Sequence, residues 1–193
     1  MAGTSDQLLV EEFERIAALA EREIETVRFE FVGGRIGLRK AVDGNHSTLV
    51  MRLVRLWMQT RPELGLFPAR GLKVEARRGG RVLPDGVLAP LGHFAGHGDW
   101  SDPDGVLMTL EITSFDPDTH HRDRVVKPRA YAEAGIPVHL LIDRDNLSVL
   151  VHSDPDPEHG YRDVYMVKLG GKVTLPEFVG IELGTEDFKQ YVD

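Results

Sequence analysis

The chain has 193 residues, of which 41% are hydrophobic and 28% are charged, so it carries enough apolar material for one continuous core. No apolar run approaches the roughly 18 residues that a membrane span requires, and the N-terminal segment lacks the basic start of a signal peptide. The absence of cysteine excludes disulfides and thiolate metal sites. We therefore expect one soluble α/β domain, residues 1–193, that acts in the cytoplasm without a membrane partner.

The formal net charge of −8 counts against a nucleic-acid partner, because phosphate affinity comes from basic side chains. The charge is unevenly distributed, however. Counting Lys and Arg against Asp and Glu, residues 1–27 carry −5, residues 28–132 carry +4 and residues 133–193 carry −7. A locally basic middle segment between acidic flanks is compatible with DNA or RNA.

The first third of the chain alternates helical and strand patterns. Apolar residues recur at steps of three and four over residues 6–24, which predicts an amphipathic helix. A hairpin follows, with strands at 27–31 and 35–38 around the turn Gly33-Gly34. A second helix is expected to run to about Thr60, with Asn45 or Ser47 as its N-cap.

The remainder is richer in strands. A long Gly/Pro/Asp segment, residues 89–105, is predicted to be a functional or mobile loop. A third helix is expected between Asp123 and Ala134, closed by Gly135, and a short last helix after Thr185. Strands are predicted at 65–68, 72–76, 82–88, 106–113, 138–143, 147–152, 161–168 and 172–175.

The clearest strand, residues 106–113, carries a carboxylate on the face opposite its apolar side chains. Val106, Met108, Leu110 and Ile112 share one face, and Glu111 lies on the other. A carboxylate there must be solvated, paired or bound to a metal, because burying it alone is costly.

A second acid lies on a neighbouring predicted strand, in Pro84-Asp85-Gly86. Two carboxylates that converge from adjacent strands form the oxygen-rich site that Mg²⁺ prefers. Lys127 follows on the third helix and supplies a cation for the attacking water or for the developing phosphate charge. The alternative is that Asp85 only starts a Pro-Asp-Gly turn and Glu111 is a surface acid at a strand end.

The order and spacing of these pieces resemble the Uma family of putative restriction endonucleases, within the PD-(D/E)XK nuclease superfamily. The resemblance covers roughly residues 28–185. It is carried by Phe29-Glu30-Phe31-Val32-Gly33-Gly34-Arg35-Ile36, His46, Pro84-Asp85, Leu110-Glu111-Ile112-Thr113-Ser114, Lys127, Tyr131-Ala132-Glu133-Ala134-Gly135-Ile136-Pro137 and Leu141-Ile142-Asp143.

The resemblance implies a restriction-endonuclease-like mixed β-sheet flanked by helices, with residues 1–26 as an N-terminal helix outside the core. It also implies Mg²⁺, for which Mn²⁺ can substitute, bound by Asp85, Glu111 and the main-chain carbonyl of Ile112. Glu30 matches an acid that completes the site, and Lys127 matches the catalytic lysine, whose usual place is taken by Thr113. His46, Thr113 and Arg124 are expected to contact the substrate.

The resemblance further implies hydrolysis of phosphodiester bonds in nucleic acid, with DNA as the expected partner, and a homodimer would allow both strands to be cut. A non-catalytic binding or scaffolding module that keeps the fold is the alternative. Pro128 directly follows Lys127, so the third helix is expected to start near Val125 or to be kinked. Clustered acids should raise at least one carboxyl pKa, and we expect Asp85→Asn to relieve that repulsion.

Overall fold

The computed structural model describes residues 9–24, 28–39, 41–75, 79–114 and 121–192. Its helices are α1 (Val10–Glu23), α2 (Gly44–Thr60) and α3 (Lys127–Glu133), with a π-helical turn at Arg122–Val126 directly before α3 and a 3-10 helix at Glu186–Tyr191. Across these described ranges, no helix is both long and apolar enough to cross a membrane. The strands are β1 (Arg28–Val32), β2 (Arg35–Arg39), β3 (Leu64–Pro68), β4 (Gly71–Val74), β5 (Gly80–Val82), β6 (Gly86–Pro90), β7 (Trp100–Ser101), β8 (Met108–Ile112), β9 (Val138–Asp143), β10 (Ser148–Asp156), β11 (Gly160–Lys168), β12 (Lys172–Thr174) and β13 (Glu182–Gly184).

The strands form mixed sheets flanked by helices, as the sequence predicts. The larger sheet has the order β11-β10-β9-β8-β6-β3, and within it only β8 and β9 run parallel. A second sheet has the order β2-β1-β5-β4-β7, and β12 pairs with β13. The strand β7 lies inside the segment predicted as a loop, where it pairs in parallel with β4.

The six-stranded sheet is covered on both faces by apolar side chains. One face packs on α2, the β12–β13 pair and the 3-10 helix, and its core includes Leu53, Trp57 and Leu110. The other face packs against the second sheet and α3 through residues such as Val87 and Tyr131. Alternation along β6 and β8 sends neighbouring residues to opposite faces, so Glu111 points to the side away from the α2 core.

Helix α2 starts earlier than predicted, with Asp43 rather than Asn45 or Ser47 as its N-cap. The Asp43 carboxylate accepts the His46 N–H at 2.7 Å, which satisfies one free donor of the first turn. An aspartate two to four residues ahead of the two predicted caps therefore fixes the helix start and the position of His46 in its first turn.

The predicted strand 82–88 is wrong as one element, because the chain crosses there from one sheet to the other. β5 ends at Val82 and β6 starts at Gly86, and Leu83, Pro84 and Asp85 are buried between them. Pro84 has no N–H for a strand ladder. Leu83 has left the ladder too, since its N–H donates to Glu30 at 2.7 Å and its carbonyl accepts from Arg39.

The third helix accommodates Pro128 through the π-helical turn that precedes it. The N–H of Lys127 bonds to the carbonyl of Arg122, five residues earlier, and Pro128 then stands in the first turn of α3, where proline is tolerated. Gly135, at φ 72°, closes the helix as predicted.

The apolar residues of strand β2 face solvent, the reverse of the usual orientation of an amphipathic strand. Ile36 and Leu38 are exposed, while Gly37 and Arg39 face the interior of the molecule. A Cβ at Gly37 would lie 2.4 Å from the Arg122 guanidinium, so glycine leaves the space that this arginine fills. Residues 6–8, Val27 and Ala76, which belong to predicted elements, lie outside the described residues.

Candidate active site

Asp85 and Glu111 meet at the adjoining ends of β6 and β8. Gly86 pairs with Leu110, so the residues next to them, Asp85 and Glu111, follow side by side across the antiparallel pair. Both carboxylates are buried, and the Ile112 N–H donates to Asp85 Oδ2 at 2.7 Å. Asp85 therefore lies directly before the start of β6, next to Glu111, rather than inside a strand at 82–88 as predicted.

Lys127 reaches these acids from the start of α3. Its ammonium lies 2.8 Å from Glu30 Oε1, 3.1 Å from Glu111 Oε1 and 3.5 Å from Asp123 Oδ1, and its side chain is 2% exposed. The structure thus brings together Glu30, Asp85, Glu111 and Lys127, the four residues for which the sequence predicts the central roles.

Three further charged residues belong to the same group. Arg39 donates to Asp85 Oδ1, Arg122 Nε lies 3.3 Å from Glu30 Oε2, and Asp123 contacts Lys127. We call the set Glu30, Arg39, Asp85, Glu111, Arg122, Asp123 and Lys127 the charged cluster. Sequence reasoning missed Arg39, Arg122 and Asp123; the four-residue step from Asp123 to Lys127 was the available signal for the last of these.

His46 and Tyr131 each hold one acid of the pair. His46 Nε2 lies 3.0 Å from Asp85 Oδ2, and the Tyr131 hydroxyl donates to Glu111 Oε1 at 2.5 Å. Both side chains are buried, His46 at 3% and Tyr131 at 0% exposure. A direct substrate contact of His46, as predicted, is therefore less well supported than a hydrogen bond that orients Asp85.

The two acids of the pair have opposite electrostatic environments. Burial would raise the pKa of Asp85, but Arg39 and His46 outweigh burial and hold that pKa well below its ordinary value. Burial raises the pKa of Glu111 to about 8, opposed by Lys127 and reinforced by the nearby Asp85, Asp123 and Glu30 carboxylates. The carboxyl with the raised pKa is thus Glu111, so the expected relief by Asp85→Asn is not supported.

The pKa values of Lys127, Glu30 and Tyr131 are set by the same competition between burial and neighbouring charges. Burial lowers the pKa of Lys127, but Glu111, Glu30 and Asp123 more than compensate, so the ammonium stays protonated at neutral pH. Burial raises the pKa of Glu30, and Lys127, Arg39 and Arg122 reverse that shift. The pKa of the Tyr131 phenol is raised well above its ordinary value by burial and by Glu111, so this hydroxyl remains a donor.

Thr113 and Arg124, expected at the substrate, have protein partners. Thr113 Oγ1 accepts the Arg144 N–H at 2.9 Å. Arg124 binds Asp143 with two hydrogen bonds, 2.8 Å and 2.7 Å, and Asp145 at 2.5 Å. The bidentate Arg124–Asp143 pair ties the π-helical turn to the end of β9, a positioning contact for the helix that carries Lys127.

The donor chemistry of the site suits a hard divalent cation. Only carboxylate and carbonyl oxygens are offered by Asp85, Glu111 and the Ile112 main chain, and Mg²⁺ commonly takes one or two carboxylates and keeps waters. The pKa of Glu111 is raised because burial and the neighbouring carboxylates outweigh Lys127, so a nearby cation would favour the ionised carboxylate. In the described part of the chain no group of three or more acidic or histidine side chains is arranged to hold a metal, so such an ion would rely on two carboxylates.

Comparisons with known proteins identify the family and the fold. A family model described as "Uma2: Putative restriction endonuclease" matches residues 10–186. The fold is similar to the crystal structure of a putative nuclease belonging to DUF820 from Anabaena variabilis, with a TM-score of 0.72 and 17% sequence identity over 96% of this chain and 99% of that chain. No curated protein matches the sequence. Because the family model spans most of the chain, including every member of the charged cluster, the protein belongs to the Uma2 family of putative restriction endonucleases.

Proposed function

We propose that this protein is a Mg²⁺-dependent endonuclease of the PD-(D/E)XK kind that hydrolyses phosphodiester bonds in DNA. The observation that carries the proposal is the buried pair Asp85 and Glu111 at adjoining strand ends, with the Lys127 ammonium 3.1 Å from Glu111. Membership of the Uma2 family supports the nuclease class.

In this proposal the ion is held by Asp85, Glu111 and the Ile112 carbonyl, and Mn²⁺ substitutes for Mg²⁺. When bound, the ion polarises the scissile phosphate and lowers the pKa of a bound water. Glu30 is assigned to Lys127 rather than to the ion, because its Oε1 accepts from both Lys127 and the Leu83 N–H.

Lys127 acts as a fixed positive charge and not as a general base. Its pKa is raised by Glu111 and Glu30, so no free amine is available at neutral pH to take a proton. The ammonium orients the attacking water by donating to it and offsets the negative charge that develops on the phosphate.

Exposed arginines on elements that carry cluster residues favour a polyanionic substrate. Arg35 lies at the start of β2, the strand of Arg39, and Arg129 lies on α3 two residues after Lys127. The turn at Gly33 packs on Val126 of the π-helical turn, since a Cβ at Gly33 would lie 3.2 Å from Val126 Cγ1. The hairpin and the π-helical turn are therefore in contact, and the elements on either side of this contact each carry an exposed arginine available to backbone phosphates.

One observation favours the alternative of a non-catalytic module that keeps the fold. Both oxygens of Asp85 already have protein partners, Arg39 on Oδ1 and His46 with the Ile112 N–H on Oδ2. Such a closed set of contacts also suits a purely structural ion-pair network. Under this alternative the protein still binds nucleic acid or a protein partner but does not cut.

The test is incubation of the purified protein with supercoiled plasmid, linear duplex, single-stranded DNA and RNA in Mg²⁺ or Mn²⁺, with EDTA as the metal-free control. We expect metal-dependent cleavage of DNA that falls roughly 100-fold or more in Asp85→Asn and in Glu111→Gln, because either change removes a charged ligand. Glu182→Gln, an exposed acid on β13, is the matched control and should cut as wild type does.

Cleavage at the wild-type rate in Glu111→Gln would identify a contaminating nuclease and overturn the assignment. Binding without cleavage in either metal would favour the non-catalytic module. Preference for RNA would correct the substrate class. Light scattering on the free protein and on a DNA complex tests the expected homodimer, which double-strand cutting by paired sites requires.

A further inference from the structure

Both described contacts of the Glu111 carboxyl fall on the same oxygen. Tyr131 donates to Oε1 at 2.5 Å and Lys127 donates to Oε1 at 3.1 Å. A carboxylate offers about four lone-pair positions, two on each oxygen, so these donors use the accepting capacity of Oε1. A cation that binds Glu111 while both hydrogen bonds persist is left with Oε2.

The Tyr131 side chain is itself held firmly in place. Its ring is fully buried and lies 5.1 Å, centroid to centroid, from the imidazole of His139. His139 is fixed in turn, since its Nδ1 lies 3.1 Å from Thr109 Oγ1. Thr109 and Glu111 are two residues apart on the same face of β8, so strand and phenol form one rigid unit around the carboxyl.

We propose that Tyr131 is a positioning residue that limits Glu111 to one-oxygen binding of the ion and thereby favours Mg²⁺ over Ca²⁺. The inference rests on the proposed function, because it assumes that Glu111 is a ligand. Mg²⁺ requires a small octahedral shell at about 2.0–2.1 Å that retains waters, which single-oxygen ligands allow. Ca²⁺ takes six to eight oxygens at about 2.3–2.6 Å and readily uses both oxygens of one carboxylate.

The experiment measures ion binding without any nucleic acid. Wild type, Tyr131→Phe and Tyr161→Phe are titrated with MgCl₂ and with CaCl₂ at constant ionic strength, and binding is followed by calorimetry and by thermal melting. Tyr161→Phe is the matched control, because it also removes a buried phenolic hydrogen bond, the one to the Ile136 carbonyl at 2.8 Å, but leaves Glu111 untouched.

For Tyr131→Phe we expect the half-saturating Mg²⁺ concentration to rise about tenfold to a hundredfold, the usual cost of losing a group that orients a ligand. The half-saturating Ca²⁺ concentration should stay the same or fall, since Oε1 loses one of its two donors and keeps only Lys127. The Mg²⁺ preference therefore drops by at least about tenfold in this variant. Tyr161→Phe should melt lower than wild type and keep the wild-type ratio of the two affinities.

If the ratio of the Mg²⁺ and Ca²⁺ affinities is unchanged in Tyr131→Phe, the inference is overturned and the proposed function stays intact. An equal loss of affinity for both ions counts as an unchanged ratio. If neither ion shifts the wild-type melt, the metal-dependent function fails and the inference fails with it. If Tyr131→Phe does not fold at the working temperature, all three proteins are titrated at a lower temperature where it does.

Discussion

The two ends of the charged cluster shift the pKa of a carboxyl group in opposite directions. At one end Asp85 is in direct contact with Arg39, His46 and a main-chain N–H, and its pKa is held low. At the other end Glu111 shares Lys127 with Glu30 and Asp123, and its pKa is raised to about 8. Burial is similar at both ends, so the number of cations per carboxylate decides the protonation state.

The comparison of Asp85 with Glu111 also shows which carboxyl group is less well compensated by positive charge. Asp85 is stabilised as a carboxylate by its protein partners, whereas burial and neighbouring acids disfavour the carboxylate of Glu111. Under the proposed function, a bound cation would therefore stabilise Glu111 more than Asp85. The following predictions test this difference, starting with the largest expected effect.

Replacing the shared cation should have the largest effect on stability. Lys127→Met removes the cation that Glu30 and Glu111 share and leaves buried Glu30 with only Arg39 and Arg122, so we expect a loss of about 3–5 kcal/mol in the free energy of unfolding. Urea denaturation in EDTA measures it. Lys172→Met, at an exposed pair with Glu182, is the control and should change stability little. A loss at Lys127 no larger than in that control would mean that the cluster is solvated in solution.

Neutralising the two acids should change stability in opposite directions. Asp85→Asn leaves the Arg39 guanidinium buried without its anion, and we expect a loss of about 3 kcal/mol. Glu111→Gln removes a carboxylate that is costly to ionise, and we expect a gain of roughly 1–3 kcal/mol at pH 9. Paired urea melts of both variants in EDTA give the signs, and a loss in both variants would contradict the comparison.

The pH dependence should isolate Glu111. Its folded pKa of about 8 exceeds the ordinary value of 4.5, so its stabilising contribution is complete below pH 4.5 and is lost as pH rises through 8. Asp85 does not contribute to this slope, because a lowered pKa completes its contribution by about pH 5.

The measurement is the unfolding free energy of wild type minus that of Glu111→Gln, from pH 5 to pH 9 in EDTA. Taking the difference cancels His139 and His152, whose pKa values are lowered by burial and which titrate alike in both proteins. We expect the difference to fall from pH 5 to about pH 8 and to level off above that in EDTA, and to depend less on pH when saturating Mg²⁺ is present. A flat difference in EDTA would show that the Glu111 carboxyl is compensated by some other group.

The smallest effects are expected outside the cluster. Arg35→Ala and Arg129→Ala should weaken binding of DNA in EDTA only a few-fold, and each should reduce the slope of log affinity against log salt by about 1 if it contacts a phosphate. Filter binding or fluorescence anisotropy over a salt series measures this slope. Unchanged slopes in both variants would place the nucleic acid on another surface.

The sequence patterns of single elements predict the positions of Asp85 and Glu111 better than they predict the residues that contact these acids. Alternation along β8 was sufficient to place Glu111 opposite the apolar core, and the order of Asp85, Glu111 and Lys127 brought these residues together as predicted. The sheet change at Leu83 was missed, because the short run around Pro84-Asp85 looks like one strand until its hydrogen bonds are traced to Glu30 and Arg39.

The partners depend on contacts that a strand or helix pattern does not contain. Arg39 was missed because β2 exposes Ile36 and Leu38, the reverse of the amphipathic expectation, and the space left by Gly37 is what allows it. Tyr131 belongs to the family motif, but no periodicity along the chain predicts that its hydroxyl lies 2.5 Å from Glu111 Oε1. Long-range packing decides such contacts, whereas local propensity decides the elements.

The sheet crossing at Leu83 has a consequence for how the protein folds. The hydrogen bond from Leu83 to Glu30 closes a loop of 53 residues, and the pair Arg39–Asp85 closes one of 46. Loops of that length are closed late, because the entropy of closure is lost before the contact forms. The seven charged side chains come from both sheets, from the crossing between them, from the π-helical turn and from α3. We therefore expect the charged cluster to lose its contact with water only when the sheets dock.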